Sequence, residues 1–463
     1  MPTRHLEHRS VKQVGSSPKS AWVRVLFVGE GAAGMSQAAS GSGDRFARWT
    51  LVAILLAAGL LRFGLVASRV GAVEDPDNYL TLARSMAGGE GFVWKGRPTA
   101  YRPPLYPLTL VPIVAMLGPR ADWGVAVWHG VLGSLAVGAT TWAARRWGLG
   151  PRRALVAAVI VAFDPVLLAE SRGVMTENLA VAMIACALAA LARPAPPPTG
   201  DPSANASELL ARNALWAGVC FGLASLSRPS MLACLVMAAL AETAYGSRSA
   251  RVGLRNGALL VVAAVVVMSP WAARNAWALG GPVWTTTHGG YTLALANNDA
   301  YYDDVLNRPE GAVWTGPGQF AWFDRVNCEL AGVDEIEADR RLRNEALRTM
   351  EKRPRDAVRA AVARLSRFWS LAPDAAVYAR SVRVVVAVWT TPIWLALVLG
   401  LLDSRTRQAP RAVAAGMIVG LTIVHMFYWT DVRMRAPIVP AIALLAASAR
   451  RGHMHRAQWV RTS

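Results

Sequence analysis

Long apolar runs punctuated by short polar stretches dominate this sequence. A helix needs about 20 predominantly apolar residues to cross a bilayer. Runs of this kind lie near residues 49–68, 122–144, 153–169, 174–192, 213–227, 230–245, 256–272, 382–402, 412–428 and 436–449. They predict an all-α polytopic membrane protein with about ten transmembrane helices. A shorter apolar run at 103–117 is flanked by prolines.

The arginines orient these spans. With the N-terminus inside, the inner loops are 145–153, with Arg145, Arg146, Arg152 and Arg153, then 246–255, with Arg248, Arg251 and Arg255, and 403–411, with Arg405, Arg407 and Arg411. The tail adds Arg450, Arg451, Arg456 and Arg461. All are basic, as the positive-inside rule requires. A full crossing by 103–117 would invert every later loop and break the rule four times. That run is therefore read as a re-entrant or interfacial helix on the outer side.

The 463 residues are 54% hydrophobic and only 17% charged, with mean hydropathy +0.30. Such a chain is neither disordered nor an ordinary soluble enzyme. Its 18 tryptophans suit membrane interfaces. The net charge of +19 raises nucleic-acid binding as a first idea. The placement of the arginines assigns that charge to topology and anionic lipid contact instead. Of the four cysteines, Cys186, Cys220 and Cys234 lie inside apolar runs, and no CxxC or Cys/His spacing suggests a disulfide framework or zinc. The seven histidines show no metal pattern, and His288 reads as a loop residue.

Five regions follow. Residues 1–48, rich in Gly, Ser and Arg, are expected to be a flexible cytoplasmic tail, and the first span is expected to be retained as a membrane helix. Residues 49–272 form an N-terminal membrane module, with a first outer loop at 70–120. Residues 273–381 form an outer cap of mixed charge with a helical pattern near 334–369. Residues 382–450 carry the last spans, and 451–463 form a basic cytoplasmic tail. The inner stretch 193–212, rich in Pro, reads as a linker.

The outer side collects the candidate chemistry. In the first outer loop, Asp75-Pro76 reads as a helix start, with Asp capping and Pro in the first turn. Gly88-Gly89 reads as the stop. Tyr79, Leu82, Ala83 and Met86 make one apolar stripe, so this helix is expected on the membrane surface. Glu74, Asp75 and Asp77 stand at its N-terminus. Asp75 is either only a cap or a carboxylate that takes a proton from a bound hydroxyl, and the two roles are compatible. Arg102, after Tyr101 and before Pro103-Pro104, is either a snorkelling anchor or a fork for phosphate. Arg62, late in the first span, is read as functional or as snorkelling. Glu170 and Glu177 bracket a turn between spans, with Glu177 opening the next helix. Arg228 is a turn residue or a ligand contact. Arg433 and Arg435 put two cations on the outer face, to be compensated by Asp431 or by an anionic ligand.

These motifs, taken in order, resemble the GT-C membrane glycosyltransferases. The nearest resemblance is to the bacterial group related to the lipid A aminoarabinose transferase and the protein O-mannosyltransferases. It is carried by Asp75-x-x-x-Tyr79, Gly89-x-Gly91-Phe92, RPPLYP at 102–107, MTE at 175–177, LSRP at 226–229, PWAARN at 270–275 with a Gly-Gly loop and Asn297-Asn298 after it, and RMRAPIVP at 433–440. The resemblance spans roughly residues 48–450.

It implies a GT-C-like bundle and an inverting transfer from a polyprenyl-phosphate-linked sugar to a lipid, glycan or protein acceptor. The reaction would take place on the outer face of the cytoplasmic membrane. Asp75 would act as base or align the acceptor, and Glu177 would help form the site. Arg102, Arg433 and Arg435 would meet the donor phosphate. Asp77, Tyr79, Tyr101 and Arg228 are candidate substrate contacts. A divalent metal is compatible with the carboxylates, but nothing in the sequence requires one. Two features depart from the pattern: Asp75-Pro76 stands where several relatives carry Asp-Glu, and the larger soluble insert of the O-mannosyltransferases is absent from the sequence. Two rival readings are a glycolipid transporter or flippase and a ligase using diphosphate-linked oligosaccharide. Against the former, no inverted repeat is evident, and the ionisable groups gather at one face.

Overall fold

A computed structural model describes residues 37–193, 204–247, 249–306 and 317–449. The basic C-terminal tail, residues 1–36 of the expected N-terminal tail and residues 194–203, half of the expected linker, lie outside these. The chain divides into two units, 1–46 and 47–463, and apart from the first residues of α1 the second holds everything discussed below.

The protein is all-α, with a single two-residue hairpin, Val93–Trp94 against Arg97–Pro98, among the described residues. Helix α1 (Gln37–Ala67) starts inside the stretch expected to be tail. The first loop carries α2 (Tyr79–Ala87) and α3 (Leu105–Leu117). There follow α4 (Ala121–Arg146), α5 (Pro151–Phe163), α6 (Pro165–Glu170), α7 (Glu177–Leu191), α8 (Ala204–Ser227), α9 (Met231–Tyr245) and α10 (Ala250–Leu279). The expected cap holds α11 (Gly289–Ala296), α12 (Pro317–Glu329), α13 (Glu335–Lys352) and α14 (Pro354–Phe368). The chain closes with α15 (Arg380–Leu402), α16 (Arg411–Phe427) and α17 (Val439–Ser448).

Each apolar run therefore carries a helix. Among the described residues, five helical stretches are long and apolar enough to cross a membrane: Arg45–Ala67, Leu105–Arg146, Ser207–Ser227, Ala250–Leu279 and Arg380–Leu402. Glu177–Leu191, Met231–Tyr245 and Arg411–Phe427 are shorter apolar helices. Helix α17 is buried along its whole length and packs on α5 and α15.

The stretch Leu105–Arg146 is interrupted by a turn at Gly118–Arg120, where Gly118 takes φ 51°. Helix α3, at 13 residues, rises about 20 Å, well short of a bilayer's hydrocarbon core. It folds back on α4: Tyr106 bonds His129, and a Cβ on Gly124 would collide with Ile113. The expected re-entrant run at 103–117 is therefore a short helix packed against α4.

Lipid tails are as apolar as leucine, so close backbone approach must replace hydrophobic burial between helices. At Gly218 of α8 a Cβ would strike the Leu260 carbonyl of α10. Arg62 uses the same device. Its guanidinium fills the space over Gly133 of α4 and donates to the carbonyls of Ala58 (3.1 Å), Ala162 (3.0 Å) and Val161 (3.1 Å). At 1% exposure it ties α1 to α5 and does not snorkel.

Candidate active site

Asp75 shapes the start of the site. Its Oδ1 accepts the Tyr79 N–H (2.8 Å) and its Oδ2 accepts the Leu80 N–H (2.9 Å). The cap expected of Asp75 is real, but α2 begins at Tyr79. Pro76 lies in the preceding turn, closed by Asn78 in the left-handed region at φ 61°. Burial raises the Asp75 pKa, while the backbone N–H groups of residues 79–81 oppose that rise. The Glu74 carbonyl accepts the Val174 N–H at 2.8 Å, which joins the first loop to the turn before Glu177.

Two residues on, Asp77 Oδ1 pairs with Arg102 Nη2 at 2.8 Å. Arg102 also sits over the Tyr101 ring at 5.3 Å. Tyr101 meets His288 edge-on at 4.3 Å, and His288 stacks on Tyr291 at 5.1 Å. Burial, with the Arg102 charge adding to it, lowers the His288 pKa to about 3, so its ring is neutral. His288 lies in a loop as expected, just before α11, and there forms an aromatic wall beside Arg102.

Glu177 opens α7, where the helix dipole favours a carboxylate. It is fully buried and forms an ion pair with Arg228. Arg228 also contacts the Thr176 hydroxyl (3.4 Å) and Met434 Sδ (3.0 Å). Tyr79 lies among Asp77, Arg102, Glu177 and Arg228 and feels all four charges. Tyr106, edge-on to Tyr79 at 5.5 Å, feels both Asp75 and Glu177. The carboxylates and cations expected from the first and third outer stretches therefore converge around two tyrosines.

Arg433 adds the last turn to this set. Its Nε lies 3.5 Å from Asp431, whose Oδ1 accepts the Arg433 N–H at 2.7 Å, and its guanidinium covers Trp429 at 5.2 Å. Burial alone would lower its pKa, but Glu177, Asp431, Glu170 and Asp77 together hold it above the usual guanidinium value. Glu170 is shifted up, first by burial and then by Glu177, with Arg433 opposing.

Arg435 sits apart from this set. It is buried at 3% exposure, donates from Nη1 to the carbonyls of Phe368 (2.9 Å) and Ser370 (2.7 Å), and covers Trp394 at 4.9 Å. These contacts make it a fastener between the last turn and α14–α15. Of the two arginines, Arg433 acts on Glu170, Glu177 and Asp77, whereas the carboxylates nearest Arg435 are Asp164 and Asp431.

Arg433, Asp431 and Glu170 line one end of a cavity of about 770 Å³. Helix α14 gives it Arg367, the loop after α14 gives Tyr378, and α15 gives the apolar Val382 and Val386 together with Arg383. Asp75, Asp77, Arg102, Glu177 and Arg228 do not line it; of these, Glu177 and Asp77 act on the charge of Arg433, which does. In the sequence Glu170 marks a turn and nothing local ties it to the site, and Arg367 and Tyr378 carry no local signal at all. Among the described residues, no group of three or more His, Cys, Asp or Glu side chains is arranged to hold a metal ion.

Residues 111–278 match the family model of the dolichyl-phosphate-mannose-protein mannosyltransferases. No curated protein matches the chain. Among solved structures, the oligosaccharyltransferase AglB of Archaeoglobus fulgidus, in complex with an inhibitory peptide and a dolichol-phosphate, is 14% identical with TM-score 0.49. That alignment covers 87% of this chain and 50% of AglB, so the chain spans about half of AglB's length. ArnT of Cupriavidus metallidurans, bound to undecaprenyl phosphate, is 16% identical with TM-score 0.44, covering 86% of this chain and 77% of ArnT. The matched segment 111–278 holds Glu177 and Arg228 and is similar to a glycosyltransferase family of the GT-C type, the class that the ordered motifs of the sequence resemble.

Proposed function

We propose that the protein is an inverting glycosyltransferase. It takes a sugar from a polyprenyl-phosphate donor and passes it to a lipid, glycan or protein acceptor. The reaction occurs at the outer face of the cytoplasmic (inner) membrane, with both termini in the cytoplasm. The observation that carries this reading is Arg433, set among Glu170, Glu177, Asp431 and Asp77 on a cavity that α15 lines with the apolar Val382 and Val386 beside Arg383. A lipid phosphate combines those two environments in one molecule. The family model matched by residues 111–278 bears the name of a donor of the same kind, a mannose on a dolichyl phosphate.

The chemistry follows from charge. As the acceptor oxygen attacks the anomeric carbon, the bond from that carbon to the phosphate oxygen breaks. The leaving group departs as a lipid phosphate with added negative charge. Guanidinium groups fixed in a water-poor site stabilise that charge without reorganising, which is the part assigned to Arg433 and Arg102. The acceptor proton goes to Asp75, whose raised pKa makes it a stronger base than an ordinary carboxylate. Attack opposite the leaving phosphate inverts the anomeric centre. Glu177 and Arg228 hold the floor of the site between the two loops.

The test is a transfer assay with purified full-length protein. A covalent product from a polyprenyl-monophosphate sugar, with inverted anomeric configuration, is expected. Product only from diphosphate-linked donors would make the protein a ligase, and glycolipid movement without product would make it a transporter. Either result would overturn the proposal.

A further inference from the structure

We propose that Arg274 and Glu335 are positioning residues that aim Arg102 at the donor phosphate, so that segment 273–381 takes part in donor binding. This inference rests on Arg102 serving that phosphate. Arg274 belongs to the PWAARN motif at the end of α10, and Glu335 is the first residue of α13. Neither touches the charged cluster around Tyr79.

Both converge on Thr99 and Ala100, immediately before Tyr101 and Arg102. Arg274 Nη1 donates to the Thr99 carbonyl and Nη2 to the Phe92 carbonyl, each at 2.7 Å. Glu335 Oε1 accepts the Ala100 N–H at 2.8 Å and the Thr287 hydroxyl, and Oε2 accepts the Thr99 hydroxyl at 2.8 Å. The Thr99 N–H reaches the Phe92 carbonyl (3.3 Å), and the Ala100 carbonyl accepts the Thr287 N–H (3.1 Å). All four backbone polar groups of Thr99 and Ala100 thus have fixed partners, and the Tyr101 N–H is bound by the Thr99 hydroxyl at 3.0 Å.

On the other side of Arg102 stand Pro103 and Pro104. A proline fixes its own φ and restricts the residue before it. The Arg102 backbone is therefore held from both directions, and its guanidinium is steadied by Asp77 and the Tyr101 ring. Glu335 has no comparable duty in its own helix, because Asp334 caps α13 by accepting the N–H groups of Ile336 and Glu337. A carboxylate accepting three neutral donors makes strong, charge-assisted bonds, and here they all anchor the approach to Arg102 or the Thr287 loop beside it.

The experiment measures binding of undecaprenyl phosphate to purified full-length protein in detergent, with the melting temperature of each sample. Arg102→Ala is expected to weaken binding about tenfold, as loss of one charge-assisted phosphate contact should. Glu335→Ala should weaken it severalfold. The double variant should be no weaker than Arg102→Ala alone, because Glu335 acts through Arg102. In turnover, Glu335→Ala should raise donor KM and leave kcat within about twofold, as loss of binding common to ground and transition states does. Full retention of affinity in Glu335→Ala beside a weakened Arg102→Ala would overturn the positioning role. So would losses that multiply in the double variant. Unchanged binding in Arg102→Ala would instead remove the phosphate reading of Arg102, and the positioning role with it. If Glu335→Ala does not fold, Thr287→Val and Arg274→Lys each remove part of the clamp and should show a smaller loss that vanishes in the Arg102→Ala background. A loss that persists there would count against the inference.

Discussion

The Asp77 carboxylate lies 2.8 Å from the Arg102 guanidinium, with about a quarter of each side chain exposed. An ion pair open to this degree contributes about 1 kcal/mol or less. A phosphate, with more charge and two oxygens for the planar fork, can take the guanidinium from it. Asp77 thus keeps Arg102 in place without outcompeting the ligand.

That relation gives opposite signs for the two partners. Arg102→Ala should raise the donor KM about tenfold. Asp77→Asn removes the competing charge and should leave donor KM unchanged or lower it by up to about threefold. Steady-state kinetics with varied donor separate them; a large rise in donor KM for Asp77→Asn would show that Asp77 itself holds substrate.

Asp75 must be ionised to accept a proton. Its pKa is raised by burial, so the acid limb of the rate profile should fall above the ordinary carboxylate range near 4. Activity should therefore rise with pH through that elevated value and be lost as pH falls through it. Asp75→Asn should cut kcat by about a hundredfold or more, the usual contribution of a positioned base, and abolish that limb. Its amide oxygen can still accept one N–H of α2, so the loss of fold stability should stay near 1 kcal/mol. Wild-type turnover in Asp75→Asn would remove Asp75 from the reaction.

Glu177 and Arg228 are a buried pair, with side-chain exposures of 1% and 13%. Removing one partner strands the other charge, at a cost of about 3–5 kcal/mol. Arg228→Ala should thus destabilise strongly in detergent unfolding, whereas Arg228→Ala combined with Glu177→Gln should recover a large part of the loss. Equal instability in the single and double variants would mean that the pair is not coupled.

Arg433 and Arg435 should separate cleanly. Arg433→Ala should lower donor affinity with little effect on melting. Arg435→Ala leaves two buried carbonyls without their charged donor and should cost about 3 kcal/mol of stability, while the folded fraction keeps its donor KM. Reversed outcomes would reassign the two residues.

How far this was legible in the sequence depends on range. Apolar runs report local burial, so the ten apolar runs that carry helices and the separate short helix at 103–117 could be read directly. The helical pattern near 334–369 likewise became α13 and α14. Boundaries were weaker: α1 starts at Gln37 because helix formation does not stop where apolarity does, and α2 starts at Tyr79 because Asp75 caps from four residues upstream. Roles set by tertiary partners were invisible. Arg62 reads as a snorkelling charge until Gly133 makes room for it, and Arg435 looks equivalent to Arg433 until α14 supplies its carbonyls. The cavity joins residues near 165–170, 363–386 and 430–433, and no local pattern announces such a meeting.

The central claim is that a polyprenyl phosphate occupies the cavity between α14, α15 and the last turn, with its phosphate at Arg433. Photo-crosslinking of a diazirine-bearing polyprenyl phosphate, mapped by mass spectrometry on the purified protein, tests this most directly. Adducts on the 370–386 stretch around Tyr378, Val382 and Val386 are expected, competed away by unlabelled undecaprenyl phosphate and diminished in Arg433→Ala. Adducts confined to other helices, or labelling of that stretch indifferent to Arg433, would contradict it.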